Sequence, residues 1–194
     1  MKITKKNFNN VPKEWLFFNP INNSHDKYFF KISNKTGVIF FYENSKEEEK
    51  YLKKIKPYAE WCKNKRINFL IQSSIYWANK YGAFGIFLDR KNLLIKHKLS
   101  LASFKKKILV AGKVHNLNEA NKFGKFLNMV FISNVFNTQS YPDKKKLSLF
   151  NFFSMCFLLK KKKVFALGGV NKSNFKKLKN RYLYGFGAIS YFKN

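Results

Sequence analysis

Acidic side chains are scarce. The chain has 10 Asp and Glu against 39 Lys and Arg in 194 residues, a formal net charge of +29. That shortage turns the search for a ligand toward anions, whether phosphorylated metabolites, nucleic acids or acidic surfaces. It also leaves Glu43 and Asp89 as the carboxylates placed at predicted strand ends, too thin a set to predict a metal site. Arginine is scarcer still, at Arg66, Arg90 and Arg181. There is no Arg-rich arm, no zinc-ligand spacing and no helix-turn-helix signature, so a nucleic-acid partner is not expected despite the charge. Two cysteines, Cys62 and Cys156, lie far apart and match no metal or disulfide framework. They predict reduced thiols and a cytoplasmic chain. No apolar run reaches the ~20 residues of a spanning helix. The most apolar stretch, Leu147–Leu159, is broken by Ser148, Asn151 and Ser154 and closed by four lysines. Met1–Asn10 is not followed by an apolar h-region, so no signal peptide and no membrane partner are expected.

What the chain does have is alternation. Residues 1–13 read as a basic extension, and residues 14–194 as one domain. Strands are predicted over Trp15–Asn19, Gly37–Tyr42, Ile67–Gln72, Gly85–Leu88, from Ile108, and over Met129–Phe136, Val164–Leu167 and Tyr184–Ile189. Between them fall helical patterns at Ser45–Asn64, Ile75–Tyr81, Asn116–Leu127, Leu147–Leu159 and Ser173–Asn180, with another opening around Ser24. Lys91–Lys107 is ambiguous, and Ser45 with Glu48 has capping-box spacing. Strands alternating with helices imply parallel βαβ units. About eight strands suit a closed (β/α)8 barrel with short helices and loops better than an open doubly wound sheet, the runner-up. At 194 residues the chain is at the short end for a barrel, which typically needs ~200 or more.

The site is predicted from two glycine endings. Val164–Val170 and Leu183–Ser190 are apolar runs that break into glycine, which lets the backbone approach a ligand and adjacent amides hold an anion. In a barrel, the loops after the last two strands are the usual phosphate site. Gly168 and Gly169 either cradle a ligand or make a tight turn, and both readings can hold at once. Lys113, at the end of the fifth strand, points into the mouth or is one more solvated lysine. His115 polarises a ligand or caps the following helix with Asn116. Thr138 and Ser140 bind phosphate oxygens or serve as turn formers beside Pro142.

The motifs Val114–Ala120, Ser133–Pro142, Ala166–Val170 and Gly187–Ser190, in that order and spacing, resemble the successive signatures of the thiamine-phosphate synthase and thiazole tautomerase family. The resemblance implies a (β/α)8 barrel and a transferase that joins a pyrimidine methyl diphosphate to a thiazole phosphate, with Mg2+ present. By the same resemblance Gly168, Gly169, Ile189 and Ser190 hold the thiazole phosphate, and Thr138 and Ser140 approach the phosphates. Lys113 and His115 are the candidate catalytic contributors. The diphosphate-holding positions differ. Phe40, Tyr42 and Asn44 stand where the family has Gln-x-Arg-x-Lys, and Gln72-Ser73 where it has Asn-Asp. The family's metal-binding Asp falls near Asp89–Asn92, its serine two residues before the His motif becomes Lys113, and the lysine of its sixth loop becomes Tyr141. The tautomerase histidine falls at Asn134. A relative that binds a small phosphate ester without turnover is the alternative function.

Overall fold

The computed structural model describes residues 10–21, 26–89, 108–138 and 145–189. Eight strands close into one barrel: β1 (Glu14–Phe18), β2 (Thr36–Phe40), β3 (Phe69–Ile71), β4 (Gly85–Leu88), β5 (Leu109–Val114), β6 (Met129–Ile132), β7 (Lys163–Leu167) and β8 (Leu183–Ala188). Each pairs in parallel with the next, and β1 with β8. The helices outside are α1 (Asp26–Phe29), α2 (Glu48–Asn64), α3 (Ile75–Tyr81), α4 (Leu117–Gly124), α5 (Leu149–Leu158) and α6 (Lys172–Phe175). The expected barrel is therefore the observed one. Four-residue helices at α1 and α6 help a chain of this length close it. No helix among the described residues is long and apolar enough to cross a membrane.

Alternate residues of each strand point inward, and the interior is strongly aromatic. Trp15, Phe17, Phe87, Phe131 and Phe165 fill it with Ile39, Leu70, Leu109 and Met129. Phe17 packs edge-on against Phe87 and Phe131, at centroid distances of 5.4 and 5.2 Å, and Phe131 stacks on Phe165 at 4.8 Å. Space for these rings comes from glycine at facing positions. A Cβ on Gly37 would lie 2.5 Å from the Trp15 ring, and one on Gly187 2.7 Å from Phe17. The lower end is closed by the segment before β1: Val11 is buried there and its carbonyl accepts a hydrogen bond from Tyr184 Oη (2.9 Å).

The opposite strand faces, led by Leu16, Phe18, Val38, Phe40, Ile71 and Ile86, form a second apolar layer under the helices. Buried Tyr51, Ile55, Tyr58, Ala59 and Cys62 are the inward stripe of α2, as their three- and four-residue spacing requires. Burial pushes the thiols of Cys62 and Cys156 up to about 12, and both are free and buried. These are packing groups rather than nucleophiles.

Some boundaries differ from the sequence reading. The expected Ser45/Glu48 box is displaced one residue: Asn44 N–H donates to Glu47 Oε2 (3.4 Å) and Lys46 N–H to Asn44 Oδ1 (3.1 Å). The reason is that Ser45–Glu47 forms a 3-10 turn, and α2 begins only at Glu48. The strand expected over Met129–Phe136 stops at Ile132, because the following backbone turns onto β7, with Val135 N–H bonded to Leu167 O and Phe136 N–H to Gly168 O, both at 3.0 Å. The helix expected over Ser173–Asn180 is one turn, capped by a reciprocal Asn171–Asn174 box, and it ends before the next two lysines. The helix opening around Ser24, and Lys91–Lys107, lie outside the described residues.

Candidate active site

The C-terminal strand ends surround a cavity of ≈ 330 Å³. Phe17 and Phe87 form its floor. Its rim brings together Lys113, His115, Thr138, Gly168, Gly169 and Ile189 of the predicted site residues, with Glu43 and Asp89 facing the same space. Ser140 and Ser190 lie outside the described residues. Lys113 falls on the inward parity of β5, two residues beyond buried Ala111, so it is a mouth residue and not one of the solvated lysines.

Gly168 and Gly169 adopt φ of +91° and +63°, the left-handed region that side chains disfavour. The turn is also crowded. A Cβ on Gly169 would sit 2.1 Å from the Asn137 carbonyl oxygen, and one on Gly168 3.0 Å from the Asn134 Cα. Its carbonyls are taken: Gly168 O by Phe136 N–H and Gly169 O by Asn174 Nδ2 (2.8 Å). Among the described residues, the N–H groups of Gly168, Gly169, Val170 and Ile189 donate to no protein group. The tight turn thus takes up the carbonyls and leaves amide donors along the cavity wall, the arrangement an anion cradle requires.

His115 does not cap the helix. Asn116 does, accepting from Glu119 N–H (2.8 Å), while Glu119 Oε2 accepts from His115 N–H (2.9 Å). The imidazole is tied instead to the residue that follows β6, with Nδ1 3.0 Å from Ser133 O. A carbonyl only accepts, so Nδ1 carries the proton of this hydrogen bond, and Nε2 lies on the other edge of the ring.

The opposite wall, after β2 to β4, is built from side chains. Tyr42 is buried and hydrogen-bonds Glu48 and Gln72. Burial first, then the nearby Glu48 and Asp89 charges, push its phenol up to about 12. Ser73 Oγ donates to Glu48 Oε1 (3.2 Å), and Tyr51 Oη donates to Phe40 O (3.0 Å) while accepting from Gln72 N–H (3.2 Å). This network escaped the sequence reading. Period-two parity along β3 and β4 marks Gln72 and Asp89 as inward, but Glu48 joins from a helix whose placement parity does not give.

A family model described as thiamine monophosphate synthase matches residues 31–191. The chain belongs to the thiamine monophosphate synthase family. Among curated relatives of this family member, the thiamine-phosphate synthase of Prochlorococcus marinus is 28% identical over 151 residues, 76% of this chain and 43% of that protein. The chain therefore spans less than half of that relative's length. The thiamine-phosphate synthase of Fusobacterium nucleatum is 26% identical over 161 residues, covering 82% of this chain and 76% of its own. Among solved structures, thiamine phosphate pyrophosphorylase from Pyrococcus furiosus has a TM-score of 0.72 at 17% identity, over 95% of this chain and 88% of that one. An open-form tryptophan synthase from M. tuberculosis has a TM-score of 0.62 at 10% identity, over 94% and 84%. At these identities the solved structures speak for the barrel alone.

The family resemblance implies Mg2+. No group of three or more His, Cys, Asp or Glu side chains among the described residues forms a metal cluster. Asp89 and Glu43 do share the cavity mouth, which suits an ion held by one or two carboxylates and completed by substrate phosphates and water.

Proposed function

We propose that this chain catalyses a thiamine-phosphate-forming condensation, joining a pyrimidine methyl diphosphate to a thiazole phosphate. The observation that carries the reading is the row of uncommitted amides at Gly168–Val170 and Ile189, on the wall of the cavity that also holds Lys113 and His115. Those donors take the thiazole phosphate, with Thr138 beside them, and leave the ring over the floor of Phe17 and Phe87. The C–O bond between the pyrimidine methylene and the diphosphate breaks, and both electrons leave with pyrophosphate. The thiazole nitrogen lone pair then forms the new C–N bond, giving a thiazolium, and no proton has to move. The chain's task is positioning and charge stabilisation. Phe17, Phe41 and Phe87 offer aromatic surface to the pyrimidine cation. The Lys113 ammonium offsets phosphate charge, and His115 donates or accepts through Nε2. Mg2+, when bound, neutralises diphosphate charge, and Asp89 with Glu43 would hold it.

A second reading is that the chain binds a small phosphate ester without turnover. Its specific support is Tyr42, fixed by Glu48 and Gln72 where the family resemblance places a diphosphate-binding arginine. Incubation with both substrates and Mg2+ separates the two. Thiamine phosphate in the product mixture supports condensation. No product, together with no rescue of a thiamine auxotroph, rejects it, and calorimetry with thiazole phosphate then decides the binding reading.

A further inference from the structure

Helix α5 is apolar on nearly every side. Its inward residues Phe152, Met155 and Cys156 are fully buried. At about 100° per residue, Leu149, Phe153, Phe157 and Phe150 follow one another around the outer side, and Leu158 lies beyond Ser154 with Asn151 next to it. Phe150 is 79% exposed, Phe157 56%, Leu149 55% and Leu158 45%. They make up four of the seven large exposed hydrophobic side chains among the described residues, so this is a concentrated patch rather than scatter. Exposed lysines bracket it: Lys145 and Lys146 before the helix, Lys160 and Lys161 after it, with Lys160 Nζ 4.4 Å from the Phe157 ring centroid. Phe157 also meets Tyr182 edge-on at 5.9 Å.

We propose that this face of α5 docks on the surface of an anionic lipid bilayer, with the phenylalanines and leucines entering the headgroup boundary and the flanking lysines lying on it. The charge distribution selects this occupant. Residues 120–194 hold fifteen basic residues and one acidic residue, Asp143. A second copy related by a twofold axis would set the same lysines against each other. Nucleic acid would satisfy the lysines and stack on Phe150 and Phe157, but it would leave the exposed aliphatic Leu149 and Leu158 at the two edges uncovered. An apolar helix face with lysines at both ends matches a helix lying in the interface plane. The absence of a spanning segment is unaffected: the stretch is too short to cross, and only its placement on the barrel shows which residues stay outside.

The test is co-sedimentation of the full chain with phosphatidylcholine vesicles and with vesicles carrying about 30% phosphatidylserine, at matched salt. Strong binding to the anionic vesicles alone is expected. F150S/F157S, at exposed positions that preserve the core, should weaken it at least tenfold. Lys145, Lys146, Lys160 and Lys161 changed together to Gln should do the same. Lys50, Lys56, Lys63 and Lys65 on and just after α2, changed to Gln as an equal-charge control, should retain most of the binding. The proposal is overturned if the wild-type chain does not bind, if F150S/F157S binds like wild type, or if the α2 control loses as much as the α5 set. It is also overturned if sedimentation equilibrium shows a dimer that F150S/F157S dissolves, or if single-stranded RNA binding is what that variant abolishes. Matched thermal midpoints confirm that the variants are folded, and none of these readouts depends on turnover.

Discussion

The two walls of the cavity mouth are made from different material. After β7 and β8 the groups facing the ligand space are main-chain amides, held by a left-handed Gly168–Gly169 turn. After β2 to β4 they are side chains: Tyr42 bound to Glu48 and Gln72, and the carboxylates Glu43 and Asp89. An amide donor is supplied by almost any residue, so the first wall survives sequence drift provided that its two glycines do. A side-chain wall is rewritten by each substitution. The comparison explains how one barrel can keep its glycine turn and the amides along it while its opposite rim has turned from cationic, as the family resemblance implies, to phenolic and acidic.

The largest effect should come from Gly169→Ala. The new Cβ meets a backbone oxygen at 2.1 Å in a left-handed residue, so the turn must shift. Thiazole phosphate affinity should fall on the order of 100-fold by calorimetry, with stability reduced by about 2–4 kcal/mol. If affinity is unchanged, the amide wall is not the anion site. Lys113→Gln should cost about tenfold in the same assay, a loss that shrinks as salt rises. Tyr42→Arg tests the other wall from the opposite direction. An arginine there meets Glu48 and Asp89, and pyrophosphate affinity should rise about tenfold. No gain would mean that the rim's departure in charge is not what limits diphosphate binding.

The smallest effect belongs to Tyr42→Phe, which should leave phosphate-ester affinity within about twofold and cost about 1 kcal/mol of stability. It also has a pH signature. The folded-state phenol is raised from 10 to about 12, so the native state holds its proton more tightly than the unfolded chain does. The resulting stability is fully present below pH 10 and is lost as pH rises through 12. Thermal melts should therefore show the wild type losing stability more steeply than Y42F across that interval. The two buried thiols act in both proteins and cancel in the difference.

Much of the site was legible because strands and glycine turns are local. Lys113, Gly168 and Gly169 were marked by their position at strand ends, Thr138 and Ile189 by the family resemblance, and all line one cavity. His115 lines the cavity, but its partner was not legible, since Ser133 follows the neighbouring strand β6 and the bond depends on register. Tyr42 read only as a departure from a motif. Its pairing with Glu48 depends on the 3-10 turn that delays α2 to start at Glu48, whose carboxylate also meets Ser73. The segment of α5 read as an apolar helix with no face assigned to solvent, because composition counts apolar residues without saying which neighbour covers them.

The amino-acid order alone determined the alternation of strands and helices, the glycine pair and the excess of positive charge, since each follows from local sterics, periodicity or counting. Only the closed barrel decided that eight strand ends share one mouth, that amides face carboxylates across it, and that α5 keeps its phenylalanines outside. Those are contacts between residues far apart in the chain, fixed by register and helix placement, and no local preference encodes them.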